Sequence, residues 1–204
     1  MSEITLKING EEVKAEEGTN LLEVARKAKV NVPSLCYNRK LSPFGACRLC
    51  MVEVTKGGRS RLVASCVYPA EEGIEVQTES ERVVSFRKGL LELMLAAAPD
   101  VKVIQNYAKR YGVEQPRFTI EKQNMCVLCG LCVRYCAEIK QAYAIGFQGR
   151  GTNRKVTFVP QIAPQICPDC KECFSVCPTK QLPEIYKEQI ESPLENNEGD
   201  SASS

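Results

Sequence analysis

The sequence predicts an α+β protein in which a small β-sheet domain and a helical segment precede a cysteine-rich C-terminal domain. Three observations lead to this prediction. Residues 4–28 alternate apolar and polar positions and then change to helical periodicity. Residues 78–99 carry a second, longer helical pattern that ends at a proline. Between Cys126 and Cys177 the same four-cysteine spacing occurs twice.

The N-terminal segment predicts a β-hairpin followed by a helix. Apolar and polar residues alternate through the first strand, where the apolar positions are Ile4, Leu6 and Ile8. Asn9 and Gly10 then form the preferred two-residue hairpin turn, and Asn20 and Glu23 have the spacing of an N-cap and an N3 residue. A hairpin followed by a crossing helix is how a β-grasp domain begins, which is the fold of plant-type ferredoxins. We therefore predict a β-grasp domain over residues 1–78.

A group of four cysteines within this first domain has the pattern C-x10-C-x2-C-x15-C. Its members are Cys36, Cys47, Cys50 and Cys66. Plant-type [2Fe–2S] sites use C-x4-C-x2-C and a distant fourth cysteine, so both patterns share a central C-x2-C with one ligand before it and one well after it. The group predicts a [2Fe–2S] cluster, and a zinc site or four unrelated buried cysteines are the alternatives.

The two C-terminal cysteine runs both have the spacing C-x2-C-x2-C-x3-C, and the second is followed by Pro178. This is the signature of a bacterial ferredoxin with two [4Fe–4S] clusters. Because ligands recur every third residue, one tight loop can bring three thiolates to a cluster while a fourth comes from elsewhere. In two-cluster ferredoxins the fourth cysteine of each run binds the cluster of the other run. By this resemblance, cluster one takes Cys126, Cys129, Cys132 and Cys177, and cluster two takes Cys167, Cys170, Cys173 and Cys136.

Zinc sites and disulfides fit the two runs less well. Structural zinc usually takes separated pairs of cysteines or histidines, whereas each run holds four cysteines within eleven residues and the chain has no histidine. A disulfide framework is typical of short secreted domains, but this chain has 204 residues and nothing like a signal peptide. The runs therefore favour iron–sulfur clusters.

The remaining segments predict a linker and a tail. Thr78 and Glu81 have the spacing of a capping box, and an apolar face follows that ends at Pro99. We predict that this face contains Val83, Val84, Phe86, Leu90, Leu91 and Leu95. The predicted boundaries are a helical linker domain over 79–118, a two-[4Fe–4S] ferredoxin-like domain over 119–187 and a disordered acidic tail over 188–204. Within the ferredoxin-like part, residues 148–157 are predicted to be a turn between strands.

Composition excludes several functions. The formal charge of +2 leaves out the clusters. Each of the three oxidised cluster sites carries a charge of about −2, so the loaded protein has a net charge of about −4. The net charge therefore gives no argument for nucleic-acid binding. No apolar run is long enough to span a membrane, and reduced thiols held for metal favour the cytoplasm. The chain has no histidine for a nucleophile–base pair and no dinucleotide fingerprint, so we expect no catalytic residues and no flavin or NAD bound by this chain alone.

Three segments resemble a known family: CYNRKLSPFGACRLCMVEV at 36–54, ASCVYP at 64–69 and EEGIEVQT at 71–78. They are similar to the N-terminal part of the large iron–sulfur subunit of respiratory complex I. They are equally similar to the small iron–sulfur (diaphorase) subunits of NAD-linked hydrogenases and formate dehydrogenases. The resemblance covers about residues 4–181. The chain departs from the family over residues 96–112, which lack the His and three Cys that bind a further [4Fe–4S] cluster in complex I.

The resemblance implies an iron–sulfur electron-transfer subunit with one [2Fe–2S] and two [4Fe–4S] clusters. Its implied partners are a flavoprotein subunit that binds NAD(P)(H) and the catalytic subunit of a hydrogenase or formate dehydrogenase, in some cases within a bifurcating complex. Two alternatives stay open. One is the iron–sulfur subunit of a succinate dehydrogenase or fumarate reductase type enzyme, which shares the domain order but keeps the shorter plant-type spacing. The other is a redox-sensing metal protein.

Overall fold

The computed structural model of this chain describes residues 2–118, 120 and 125–192, which form two compact units. The first unit extends to Cys129 and the second begins at Gly130. The first unit contains the strands β1 (Glu3–Ile8), β2 (Glu11–Glu16), β3 (Met51–Lys56), β4 (Arg59–Ala64) and β5 (Glu75–Gln77), and the helices α1 (Leu21–Lys27), α2 (Glu81–Ala97) and α3 (Lys102–Arg110).

The five strands form one mixed sheet in the order β2-β1-β5-β3-β4. Two antiparallel hairpins, β1–β2 and β3–β4, lie on either side of β5. The short β5 pairs parallel with β1 and antiparallel with β3. A mixed sheet with a crossing helix is the predicted β-grasp arrangement, so the predicted α+β class is confirmed.

The core of this sheet follows the sequence alternation. Ile4, Leu6 and Ile8 are each at most 5% exposed, because successive side chains of a strand point to opposite faces of the sheet. Helix α1 packs its apolar residues into the same core. At its start, the Asn20 side chain accepts a hydrogen bond from the Glu23 amide at 3.0 Å, which confirms the predicted cap.

The predicted cap of α2 is wrong. The N-cap is Ser80, whose Oγ accepts a hydrogen bond from the Val83 amide at 3.4 Å. Thr78 is instead bound to the sheet, since its amide donates to Asn9 Oδ1 at 2.9 Å and its hydroxyl oxygen accepts from Asn9 Nδ2 at 2.9 Å. The hairpin turn therefore binds Thr78, and the helix begins two residues later.

The buried face of α2 also differs from the predicted one. Phe86 is 38% exposed, and its neighbour Arg87 is fully buried. The buried stripe of α2 contains every fourth residue, namely Val83, Arg87, Leu91 and Leu95. This spacing is close to the helical period of 3.6 residues, so the buried face is regular. Its one charged residue, Arg87, is buried where the sequence pattern predicts Phe86.

The second unit contains short helices and one hairpin. Its elements are α4 (Leu131–Arg134), a π-helical turn (Tyr135–Ile139), β6 (Ile145–Gln148), a 3-10 turn (Gly151–Asn153), β7 (Lys155–Phe158), α5 (Ala163–Cys170), a 3-10 turn (Glu172–Phe174), α6 (Leu182–Tyr186) and a final π-helical turn (Lys187–Glu191). β6 and β7 pair antiparallel, which confirms the predicted turn between strands. Gly149 has φ +77°, and a Cβ there would lie 2.4 Å from the Asn153 carbonyl oxygen, so the turn requires glycine.

The predicted domain boundaries stay predictions. Of the tail predicted to be disordered, residues 188–191 instead belong to the final π-helical turn, where the Gln189 side chain accepts from the Phe158 amide at 2.9 Å, and 193–204 lie outside the described residues. Within the described part of the chain, no helix combines the length and the apolar character that crossing a membrane requires.

Candidate iron–sulfur sites

The four cysteines of the first group converge in the first unit. Cys36, Cys47, Cys50 and Cys66 are each at most 3% exposed. The Cys36 sulfur is within hydrogen-bonding reach of the Cys47 and Cys66 thiols, and the Cys50 sulfur is within reach of Cys66. The loop before β3 supplies three of these thiols and the residues after β4 supply the fourth. None of the cysteines in the described part of the chain forms a disulfide.

Backbone amides point at two of these sulfurs. The Leu35 amide donates to Cys47 Sγ at 3.4 Å, and the Cys47 amide donates to Cys36 Sγ at 3.4 Å. Hydrogen bonds to a ligand sulfur stabilise its thiolate form and are one of the factors that set the reduction potential of an iron–sulfur cluster. The loop therefore surrounds the thiols with the donors that such a site needs.

The pKa values of the four thiols in this group differ strongly: two are lowered and two are raised. Hydrogen bonds from the Cys47 and Cys66 thiols lower the pKa of Cys36 to about 2. The Cys66 thiol likewise lowers the pKa of Cys50 to about 7. The same contacts raise the pKa values of Cys47 and Cys66, and for both thiols the hydrogen bond with Cys36 is the largest cause. Metal binding at this group therefore has to displace the protons of Cys47 and Cys66.

The arrangement fits a two-iron cluster. All four candidate ligands are buried sulfur atoms, and they form a chain of contacts from Cys47 through Cys36 and Cys66 to Cys50. Four cysteine sulfurs are the ligand set of a [2Fe–2S] cluster.

Gly45 shapes the loop that carries Cys47. It is buried, has φ +68°, and a Cβ at this position would lie 3.3 Å from Val67 Cγ1. A left-handed backbone conformation costs a non-glycine residue about 1–2 kcal/mol. The loop therefore needs glycine for its conformation, and Val67, next to Cys66, leaves little room for a side chain.

We predict that Gly45→Ala lowers the free energy of unfolding of the first unit by about 1–2 kcal/mol and lowers the temperature at which the visible absorbance of its cluster is lost. Gly89→Ala is the matched control, because Gly89 lies within α2 with open space around its Cα. There alanine should stabilise by about 0.5–1 kcal/mol. Thermal melts followed by visible absorbance and circular dichroism measure both effects, and equal melting of the two variants would contradict the role of Gly45.

The second unit brings four more of the predicted ligands together. A cavity of about 490 Å³ is lined by Cys136, Cys167, Cys170 and Cys173, with apolar walls that include Ile145 and Phe158. Three of the four cysteines are less than a tenth exposed, and Cys170 is half-buried. These four are the set predicted for cluster two. The cysteine from the first run therefore shares a cavity with three cysteines of the second run.

The protein around this cavity disfavours charged thiolates. Burial raises the pKa of Cys167 to about 11 and that of Cys173 to about 12. One backbone donor is present, since the Ala144 amide points at Cys136 Sγ at 3.3 Å. Bound iron would supply the positive charge that keeps these sulfurs deprotonated. The four thiols and the apolar walls fit an iron–sulfur cluster.

Glu172 connects the elements that carry the ligands of this cavity, and it was not among the residues predicted for the site. Its carboxylate accepts from Lys140 Nζ at 2.7 Å and from the Tyr135 hydroxyl at 3.1 Å. Tyr135 is the first residue of the π-helical turn that carries Cys136, Lys140 follows that turn directly, and Glu172 lies between Cys170 and Cys173. The position of Glu172 between two ligands is the one signal in the sequence that could have indicated it.

We predict that Glu172→Gln accelerates iron loss from cluster two, because the neutral amide breaks the ion pair with Lys140 that connects the two ligand-bearing elements. Glu184→Gln, on α6 outside the cavity, is the charge-matched control. The measurement is the rate of iron release to a chelator under argon. Equal rates for wild type and Glu172→Gln would show that this contact does not hold the site.

The remaining four cysteines are divided between the two units. Cys126 and Cys129 lie in the first unit, and Cys132 and Cys177 lie in the second. Cys132 is on α4, and Cys177 Sγ lies 3.5 Å from the Thr179 hydroxyl oxygen. Their assignment to cluster one stays a prediction.

Two known domain families match the chain. The family described as a 2Fe-2S iron-sulfur cluster binding domain matches residues 1–81. The family described as a 4Fe-4S dicluster domain matches residues 125–181. The first match contains Cys36, Cys47, Cys50 and Cys66, and the second contains all eight cysteines of the two runs.

Several known proteins are similar to most of this chain. The NADH-ubiquinone oxidoreductase 78 kDa subunit of Neurospora crassa is 33% identical over 76% of this chain and 24% of its own length. The NADP-reducing hydrogenase subunit HndD of Solidesulfovibrio fructosivorans is 29% identical over 90% of this chain and 36% of its own length. A chain of the NAD+-reducing [NiFe]-hydrogenase crystal structure in the H2-reduced state superposes with a TM-score of 0.68 at 28% identity, covering 78% of this chain and 76% of that chain. The chain thus spans about a quarter to a third of the length of these two curated relatives.

Proposed function

We propose that this chain, in which a match to a 2Fe-2S iron-sulfur cluster binding domain precedes a match to a 4Fe-4S dicluster domain, is a non-catalytic electron-transfer subunit. It relays single electrons between a flavin- and NAD(P)(H)-binding subunit and the catalytic subunit of a hydrogenase or formate dehydrogenase. The resemblance drawn from the sequence is confirmed, since relatives include a complex I subunit and a subunit of an NADP-reducing hydrogenase. The proposed cofactors are one [2Fe–2S] and two [4Fe–4S] clusters, and the proposed compartment is the cytoplasm.

The observation that carries this proposal is the pair of cysteine sites. Four buried thiols meet beside β3, and four others line one cavity of the second unit. The first set is the one expected for the [2Fe–2S] cluster, and the second is the one that the resemblance to two-cluster ferredoxins implies for cluster two. Iron–sulfur clusters held at such sites supply one-electron redox chemistry.

The residues of the chain contribute ligation, burial and hydrogen bonds. In the first unit, the amides of Leu35 and Cys47 donate to sulfur and the thiols are shielded from water. In the second unit, apolar side chains line much of the cavity, and Glu172 connects the ligand-bearing elements. These features keep the ligands fixed while the charge of the site changes, which is the requirement for a relay.

The test is anaerobic purification of the chain together with the proteins that co-purify with it. We expect about ten irons and a matching amount of sulfide per chain, from one two-iron and two four-iron clusters. Alone, the protein should not oxidise NADH. Combined with a flavoprotein that oxidises NADH, it should become reduced and pass electrons to an acceptor.

Other results would contradict the proposal in distinct ways. Two or three zinc ions without sulfide would indicate a structural metal protein. A [3Fe–4S] signal in electron paramagnetic resonance of the oxidised protein would favour the iron–sulfur subunit of a succinate dehydrogenase type enzyme. NADH oxidation by the isolated chain would exclude a purely relaying role.

A further inference from the structure

Arg87 is the largest fully buried side chain in the described part of the protein. Arginine is almost never fully buried unless its charge is paired and its N–H groups are hydrogen-bonded. Arg87 lies at the centre of the buried stripe of α2, where an apolar residue would be expected. Its burial therefore points to a role that an apolar side chain cannot fill.

The guanidinium of Arg87 binds the backbone on both sides of Cys50. Its Nε donates to the Leu49 carbonyl at 3.0 Å, and its Nη2 donates to the Met51 carbonyl at 2.7 Å. The Cys50 carbonyl between them accepts from the Ser65 amide at 3.0 Å and from the Ser65 hydroxyl at 2.7 Å. Three successive carbonyls around this candidate ligand are therefore held, two by the planar fork of one arginine and one by the neighbour of Cys66.

The counter-charge of Arg87 lies on the side away from these carbonyls. Nη1 donates to Glu79 Oε1 and to the Tyr111 hydroxyl, both at 2.8 Å, and that hydroxyl donates to Glu79 at 2.9 Å. The Glu79 side chain is 42% exposed, whereas that of Arg87 is fully buried. Water screens the exposed carboxylate more than the buried cation. A net positive field therefore reaches the backbone of Cys50.

We propose that Arg87 is a positioning residue that fixes Cys50 for the [2Fe–2S] cluster and raises the reduction potential of that cluster, with Glu79 opposing the second effect. Reduction adds one negative charge to the cluster, so a buried cation nearby stabilises the reduced form. This inference rests on the proposed function, because it requires a [2Fe–2S] cluster at Cys36, Cys47, Cys50 and Cys66.

The test compares Arg87→Met with Glu79→Gln in the full chain loaded with clusters. The readout is the midpoint potential of the [2Fe–2S] signal, followed by electron paramagnetic resonance, with the signals of the two [4Fe–4S] clusters as internal references. Arg87→Met should shift the reduction equilibrium at least about threefold towards the oxidised form, which is about 28 mV for one electron. Glu79→Gln should shift it in the opposite direction. Lys88→Met, which removes an exposed charge from the next residue of α2, should leave the potential unchanged.

Two features separate this role from simple loss of stability. Damage to the fold cannot move the potential in opposite directions in the Arg87 and Glu79 variants. Arg87→Lys keeps the charge but loses the fork across Leu49 and Met51, so it should restore the potential and still lose the [2Fe–2S] cluster faster than wild type.

The outcomes also separate this inference from the proposed function. Wild-type protein without a [2Fe–2S] cluster would overturn the proposed function. Wild-type protein with the cluster, whose potential Arg87→Met and Glu79→Gln leave unmoved, would overturn this inference alone. If Arg87→Met does not fold, Glu79→Gln decides, and the absence of a positive shift counts against the role of Arg87.

Discussion

Replacing Cys50 by alanine is expected to remove the [2Fe–2S] cluster and to leave both [4Fe–4S] clusters in place. Iron should fall from about ten to about eight atoms per chain, because only the two-iron cluster depends on this thiol. Cys50 is fully buried and its sulfur is within hydrogen-bonding reach of the Cys66 thiol. Alanine therefore leaves the other three thiols without a fourth ligand. Iron and sulfide analysis and electron paramagnetic resonance of the dithionite-reduced protein measure the loss.

The companion variant for this experiment is Cys170→Ala, which changes the second unit and leaves the first untouched. It should keep the [2Fe–2S] signal that Cys50→Ala loses. A Cys50→Ala protein that still holds about ten irons would refute the assignment of Cys36, Cys47, Cys50 and Cys66 to one cluster.

Replacing Cys136 by alanine is expected to damage the same cluster as replacing Cys170, although the two residues belong to different cysteine runs. Both line the cavity of the second unit together with Cys167 and Cys173. The spectra of reduced Cys136→Ala and Cys170→Ala should therefore lack the same [4Fe–4S] component. In each variant iron should fall below about ten atoms per chain, by up to about four.

The informative comparison is Cys132→Ala, which changes the same run as Cys136 four residues earlier. Its spectrum should lack the other [4Fe–4S] component. If Cys132→Ala and Cys136→Ala instead lose one and the same component, each run binds its own cluster and the exchange of the fourth ligands is wrong.

The cysteines that lie three residues apart within each run could be grouped from the sequence because that spacing is local, whereas the grouping of Cys136 with the second run came from the resemblance to two-cluster ferredoxins. Asn20 and the first hairpin were predictable for the same reason, since a cap and a two-residue turn depend on neighbours within a few residues. The spacing of Thr78 and Glu81 matched the capping pattern equally well and was misleading. What decided against Thr78 was its hydrogen bonding to Asn9, 69 residues earlier in the chain.

Arg87 shows why the rest could not be predicted. In the sequence it is one charged residue on a helix beside Phe86, and the hydrophobic pattern favours burying the aromatic ring. Its carbonyl partners lie 36 and 38 residues away, so the interaction that makes its burial favourable appears only after the strand and the helix have packed. Glu172 is similar, since Lys140 lies 32 residues before it.

The place of β5 in the sheet has a consequence for how the first unit matures as it leaves the ribosome. β5 is three residues long, follows all four cysteines of the first group in the chain, and is the strand that connects the two hairpins. While residues 75–77 are still inside the ribosome, β1–β2 and β3–β4 can each form but cannot join. The four thiols precede β5 in the chain and therefore emerge before the sheet closes, so a nascent chain halted before Glu75 has emerged would present them to an iron–sulfur donor from an open, unfinished sheet.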